Sequence, residues 1–395
     1  MLYEEAHLSP RHLQYLQKIR PTRAAGGVPI LVSFQGGSTM KTLRTLALSL
    51  AVTLGIAATA QAVAIPVFSD IVVATTWTAG NAYWVQEPIT VRAPLTIEPG
   101  VTVFVSAGFP INVENPGSII AQGTPEAHIY FKPYGDPWGG LRFTNSLDNM
   151  LTWVDIEHAT APGEVIDPLY LNRGGGVRIA DSYVQFDHVT ITQCNASAYG
   201  GGVYIAGFNS NVSFTNSRIM LNSAGANGGG LYVAEGPSVS LTRTLIHDNY
   251  ATGGLGGGLY ATGTGWVNLT NCTIARNNDV SDYTSGRLYV KMGTNVMLKN
   301  TIVYANTGTI VNASDPNTNL TVSYSDIEGT IWPGDGNVNE NPWWANPAGG
   351  NFDLTAGSPL IDQGDPQSPY DPDGTITDIG RSEERRVGKE CTIQC

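Results

Sequence analysis

Basic residues are scarce. The 395-residue chain carries 21 lysines and arginines against 33 aspartates and glutamates, and between Val63 and Gly380 the balance is 11 basic to 28 acidic. Proteins that grip phosphate backbones need clustered Lys and Arg, so nucleic acid is not an expected partner. Cysteine is nearly absent too: Cys391 and Cys395 sit in the last residues, which leaves only Cys194 and Cys272 in the body. Two cysteines do not make a disulfide framework. The one long apolar run near the start, Leu46 to Ala58, falls short of the about 20 residues a membrane-spanning helix needs.

That run has other features. Lys41 and Arg44 precede it, and the small-residue site Ala60-Gln61-Ala62 follows, the three parts of a secretory signal peptide. Residues 40–62 are therefore expected to be an export leader, and residues 1–39 an upstream extension without fold information. At the other end the composition switches abruptly after Asp378-Ile379-Gly380. Residues 381–395, from Arg381-Ser382-Glu383-Glu384 to Cys395, are similar to an in-frame translation of a sequencing-library adapter. The natural chain is expected to run on differently from Gly380.

Between these ends the sequence repeats, and a repeat of this kind governs the whole fold. Gly-Gly-Gly begins at Gly174, Gly200, Gly228 and Gly256, at spacings of 26, 28 and 28, with a degenerate copy at Ser285-Gly286-Arg287-Leu288-Tyr289. Each copy holds three strand signals. The first runs Val177-Arg178-Ile179, Val203-Tyr204-Ile205, Leu231-Tyr232-Val233, Leu259-Tyr260-Ala261 and Leu288-Tyr289-Val290. The second opens on Val184, Val212, Val239, Val267 and Val296; the third centres on Ile191, Ile219, Ile246, Ile274 and Val303. Alternation of apolar with other residues marks strands with one buried face. A strand this short cannot bury its face alone, so the coils must stack, pairing in parallel at about 4.8 Å per coil. The expectation is an all-β solenoid with three parallel sheets over residues 63–330.

Three residues after each third-strand aliphatic stands Cys194, Asn222, Asn249, Asn277 or Asn306. Stacked asparagines form amide ladders, and Asn tolerates the left-handed backbone of a bend. The glycine triplets likewise permit positive φ. Both columns are read as structural. Cys194 falls in the Asn column, whereas Cys272 aligns with Ser217, Thr244 and Thr301. They stand three coils, or about 14 Å, apart, beyond the roughly 7 Å limit for a bridge. Two free, buried, inert thiols are expected.

The pattern resembles the right-handed parallel β-helix repeat proteins of the pectate-lyase-like superfamily. Gly200-Gly201-Gly202-Val203-Tyr204-Ile205 and Asn222-Ser223-Ala224 are also similar to stretches of polymorphic outer-membrane proteins. Leu95-Thr96-Ile97-Glu98-Pro99-Gly100-Val101 looks like an opening coil, with Trp138-Gly139-Gly140-Leu141 and Trp153 to Ala159 as the next, less regular ones. Residues 331–380, with Asn341-Pro342, Phe352-Asp353-Leu354 and Gly357 to Gly364, are similar to a closing segment of choice-of-anchor type. The resemblance implies a right-handed helix and a surface-sorting or linking region after Gly380.

Three groups of residues are candidates for function. Tyr204, Tyr232, Tyr260 and Tyr289 follow Arg178 in the outward position of the first strand. In register they make an aromatic strip about 15 Å long that suits carbohydrate; the alternative is that stacked rings simply stabilise the sheet. Enzymes of the resembled superfamily that cleave polyuronates use clustered carboxylates to hold calcium, with a basic residue as base. Here the outward columns of the third strand run Asp155, Thr190, Arg218, Leu245, Thr273, Ile302 and Glu157, Thr192, Met220, His247, Ala275, Tyr304. Acid gathers only early, at Asp155 and Glu157, with Asp187 and His188 one coil on. These four are the catalytic candidates. Asp371-Pro372-Asp373-Gly374 followed by Asp378 has the spacing of the start of a calcium loop, and calcium is the one cofactor suggested. The alternative is a solvated acidic connector, since Pro366, Pro369 and Pro372 crowd the stretch.

These features point first to an exported, surface-associated, non-catalytic protein, adhesin-like or carbohydrate-binding. It would be monomeric, attached to the cell envelope beyond Gly380, with extracellular or cell-surface polysaccharide as its partner. The competing class is an extracellular polysaccharide lyase or glycoside hydrolase. The acidic charge argues against polyuronate substrates.

Overall fold

Strict alternation along each short strand leaves one row of aliphatics to bury, and the rows close on one another around a common axis. The computed structural model describes residues 64–161, 172–279, 288–306, 311–312 and 318–381. The expected leader at 40–62, the extension at 1–39, all but Arg381 of the 381–395 segment, and Ser285-Gly286-Arg287 lie outside the described residues. The fold is a right-handed parallel β-helix. Sheet I holds nine strands from Ile89–Val91 to Val311–Asn312, sheet II ten from Thr75–Trp77 to Asn319–Ser323, and sheet III eleven from Ala64–Val67 to Asp326–Ile327.

The register is the one the repeat implies. Val177 pairs with Val203, Leu231 with Leu259, Val212 with Val239, and Ile219 with Ile246, all in parallel. The inward side chains form one continuous core from Ile71 to Ile327. Inside it Phe186 and Phe214 stack at 4.5 Å.

Three sheets are not the whole of it. A fourth, of five two-residue strands, joins Thr160–Ala161, Asn195–Ala196, Ser223–Ala224, Tyr250–Ala251 and Asn278–Asp279. It lies between the Asn bend and the glycines. Its inward residues are the small Ala161, Ala196, Ala224 and Ala251, all fully buried.

The Asn column is a ladder, as expected, but for a different backbone reason. Asn222 Nδ2 donates to Asn249 Oδ1 at 3.0 Å, Asn249 to Asn277 at 2.9 Å and Asn277 to Asn306 at 3.2 Å. The backbone N–H of each coil donates to the next amide oxygen as well, beginning with Cys194 N to Asn222 Oδ1 at 2.9 Å. The left-handed residue is the one before: Gln193, Leu221, Asp248, Arg276 and Ala305 have φ of 53 to 56°. The amide thus anchors the bend while its neighbour absorbs the strain.

The glycine triplets also divide their labour. Only the first takes positive φ, 66 to 68° at Gly174, Gly200, Gly228 and Gly256. The other two are needed for close approach. A Cβ on Gly201 would stand 2.3 Å from the Ser223 carbonyl oxygen, and one on Gly202 2.8 Å from Asn222 Nδ2.

Residues 331–381 do not simply end the helix. They run back along the outside of sheet III, and among the described residues they form one compact unit with the coils. Trp344 and Phe352 pack on Leu245 and Ala275, while Leu360 and Ile379 pack on Ile302. Asn271 Nδ2 donates to Thr377 Oγ1 at 2.8 Å, Asp365 N to Asn300 Oδ1 at 2.8 Å, and Lys299 pairs with Asp365 at 2.5 Å. No helix among the described residues is long and apolar enough to cross a membrane.

Candidate functional site

Parallel pairing carries the outward positions of sheet III into two columns. One runs Thr102, Tyr130, Asp155, Thr190, Arg218 and on to Leu245, Thr273 and Ile302. The other includes Trp84, Phe104 and Lys132, then Glu157, Thr192, Met220 and His247. The two halves of this face meet different surroundings. From Leu245 onward the columns expected to face outward are buried under residues 331–381: Leu245, His247, Thr273, Ala275 and Ile302 are at most 3% exposed. From Trp84 to Met220 the face is open except at Thr192, which is buried.

The open half gathers rings and paired charges. Trp84 stacks on Tyr134 with centroids 4.2 Å apart, Phe104 meets the same Tyr134 edge-on, and Tyr134 is 54% exposed. Trp84 Nε1 donates to Ser106 Oγ at 3.0 Å, which fixes the indole. One coil further, His128 Nδ1 lies 2.8 Å from Asp155 Oδ2, and Lys132 Nζ lies 3.6 Å from Glu157 Oε2 and 4.2 Å over the Tyr130 ring. Burial, then the Asp155 and Glu157 carboxylates, push the Tyr130 phenol up. It is therefore a proton donor, not a base.

The four catalytic candidates are thus drawn toward one corner but into separate pairs. Asp155 is held by His128 and Glu157 by Lys132. Asp187 lies 2.9 Å from its neighbour His188 and accepts from Asn216 Nδ2 at 3.3 Å. Trp153 bridges the groups, stacked on His188 at 4.0 Å and tilted against His128 at 5.2 Å. No two of the candidate carboxylates share a partner. His128, Tyr130 and Lys132 were missed in the sequence because their strand, Ile129–Tyr134, precedes the regular repeat.

The tyrosine column of sheet I is a stack. Centroids of Tyr204, Tyr232, Tyr260 and Tyr289 are separated by 5.4, 4.9 and 5.0 Å, with interplanar angles of 13, 4 and 13°. The inner ring faces are therefore occupied by one another, and what reaches outward is edges. Tyr204 is buried, its hydroxyl accepting from Arg173 Nη1 at 2.6 Å. Below it in the same column Arg142 pairs in register with Arg178. Arg142 is buried, donating to the Gly174 and Leu141 carbonyls, and burial followed by the Arg178 charge pulls its guanidinium down to about 9.

The proposed calcium carboxylates serve a turn. Asp371 Oδ2 accepts from Asp378 N at 2.9 Å, Asp373 Oδ1 from Thr375 N at 3.1 Å, and Asp378 Oδ1 from Asp362 N at 3.0 Å. Among the described residues no group of three or more His, Cys, Asp or Glu side chains is arranged to hold a metal ion. The oxygens that calcium would need to converge are spread over backbone N–H groups instead. Cys194 and Cys272 are free and buried, and burial pushes both thiols up to about 12, which leaves them protonated and unreactive.

Comparison with known proteins agrees with the architecture. Residues 154–277 match the family model described as a right handed beta helix region. Among solved structures, one similar chain is titled "Crystal structure of pectate lyase Pel9A", at 15% identity and a TM-score of 0.36, covering 77% of this chain and 88% of that one. No curated protein sequence matches.

Proposed function

We infer that this chain is an exported, surface-associated β-helix that binds carbohydrate without transforming it, and that the open half of sheet III is its binding face. The observation that carries this is the side-by-side placement of Trp84, Phe104 and Tyr134 with the Asp155–His128 and Glu157–Lys132 pairs. Rings with an apolar body and a polar rim suit sugars, which are apolar on one face and hydroxylated around the edge. The Asp155–His128 and Glu157–Lys132 pairs offer fixed acceptors and donors beside the rings. Neutral cell-surface or extracellular polysaccharide fits that surface better than polyuronates, which the acidic body repels.

The signal-peptide-like pattern of residues 40–62 supports export, and the similarity of 331–380 to anchor-type closing segments supports attachment to the envelope. Binding as a monomer is consistent with this arrangement. A glycan array with the wild type and with Trp84→Ala and Tyr134→Ala tests the reading. Binding to a neutral glycan that falls at least tenfold in both variants supports it; binding that both variants retain in full would sink it.

One observation favours a second reading, an extracellular lyase or glycoside hydrolase. The Asp155–His128 contact orients an imidazole beside the protonated Tyr130, the kind of arrangement a general base requires. Chain cleavage by the wild type that disappears in His128→Ala would establish it in place of simple binding.

A further inference from the structure

Stacking explains why the outward column of sheet I is aromatic, but not why it is tyrosine. Phenylalanine rings would stack equally well. Among the described residues the hydroxyls of Tyr232, Tyr260 and Tyr289 have no hydrogen-bond partner, unlike that of Tyr204, which Arg173 holds. Nor are they among the side-chain atoms buried without a partner, so each reaches the surface. Burial, then the neighbouring phenols, raise Tyr232 and push Tyr260 up to about 12. A phenol hydroxyl can both donate and accept.

Their spacing is set by the backbone. Leu231 pairs with Leu259 and Leu259 with Leu288 in unbroken register, so the rings repeat at 4.9 and 5.0 Å. Packed against their neighbours on both faces, the rings of Tyr232 and Tyr260 lose no freedom when a ligand arrives.

We propose that these three hydroxyls form a rail for an extended, neutral, β-linked hexose polymer lying parallel to the solenoid axis. Such a chain advances about one strand spacing per sugar, so successive sugars meet successive hydroxyls. Each contact is weak, about the fivefold in affinity that one neutral hydrogen bond contributes. Held in line, the contacts add by raising the effective concentration of the next sugar, so affinity climbs with polymer length until the rail is full. Coiled, α-linked polymers miss the register and gain nothing. The rail rests on the carbohydrate-binding reading above but uses a different face.

The test uses β-1,4-linked glucose oligomers from the disaccharide to the hexasaccharide, with α-1,4-linked oligomers as the control, measured by titration calorimetry. The proteins are the wild type, the triple variant Tyr232→Phe, Tyr260→Phe, Tyr289→Phe, which removes the hydroxyls and keeps the stack, and Tyr134→Ala on sheet III. The expected result is a wild-type affinity for β-linked chains that rises steeply with length, and a rise reduced tenfold or more in the triple variant. An unchanged length dependence in the triple variant overturns the rail; if Tyr134→Ala then loses binding, the sheet III reading survives alone. Wild-type binding that is absent, or equal for α- and β-linked chains, also overturns the rail. Matching thermal unfolding of wild type and triple variant confirms that any loss comes from the hydroxyls.

Discussion

The outer face of sheet III is one surface with two fates. Over its first half, from Trp84 to Met220, most outward residues are aromatic, charged or hydroxylated, and all but Thr192 are at least partly exposed. Over its second half, from Leu245 to Ile302, the same columns are small or aliphatic apart from His247 and lie under residues 331–381. The strand register does not change between them. What changes is the neighbour, and the residue chemistry follows it. An outward position in a solenoid is defined by the backbone, whereas an exposed one is defined by whatever else the chain lays across it.

The largest effect should come from placing a charge on each half. Ile302→Asp puts an unpaired carboxylate against Leu360 and Ile379 and should cost several kcal/mol. Thr190→Asp, in the open half, should stay within about 0.5 kcal/mol. Chemical denaturation of the two variants measures the contrast, and equal losses would mean that the segment does not cover the sheet.

Acidity should separate the halves next, because buried titrating groups sit under the cover. His247 is 3% exposed, with Nδ1 2.7 Å from Asp248 and Nε2 buried without a partner. Burial pulls its pKa down against the opposing pull of Asp248, so its contribution to stability is present above the unfolded value of about 6.5 and is lost as pH falls. Asp326, buried on the last strand of sheet III, is pushed up to about 7 by burial, with Glu340 and Glu328 adding to the shift. Its contribution is present below about 3.9 and is lost as pH rises to 7, on the order of a few kcal/mol in all. Hydrogen-exchange protection of residues 344–354, corrected for the intrinsic rate at each pH, should therefore fall on acidification in the wild type and less so in His247→Gln. The Asp326→Asn variant should lose the alkaline limb.

The smallest effect concerns the thiols. Cys194 belongs to a coil of the open half, and the amide-ladder position it fills is as buried as that of Asn277 in a covered coil. Thiol reagents should label neither Cys194 nor Cys272 in the native state, and both only on unfolding. Fast labelling of Cys194 alone would show that the open coils breathe.

Much of this was legible in the sequence. The register of all three main sheets could be read because a fixed coil length repeats the same aliphatic columns, and the amide ladder and free thiols followed from it. The short fourth sheet was not, since two-residue strands such as Ser223–Ala224 carry no alternation. The left-handed bend residues were hidden by their variety: Gln193, Leu221, Asp248, Arg276 and Ala305 share a conformation but no chemistry. His128, Tyr130 and Lys132 stood before the regular repeat. The lateral course of residues 331–381 depends on contacts about 70 to 140 residues apart in sequence, such as Arg276 with Pro347 and Arg381 with Arg243, which no local pattern announces.

The amide ladder makes the molecule a ruler. Each coil pairs in parallel only with the coils on either side of it, and Asn222 offers the coil before it what Asn249 offers the next: one side-chain carbonyl acceptor. Gly200 and Gly228 stand one 28-residue coil apart, so a deletion or duplication of that unit rejoins matching glycine, aliphatic and amide columns. Such an edit would lengthen or shorten the open face by one strand spacing and leave the covered end intact. The length of the open face is therefore a heritable quantity that can change in discrete steps.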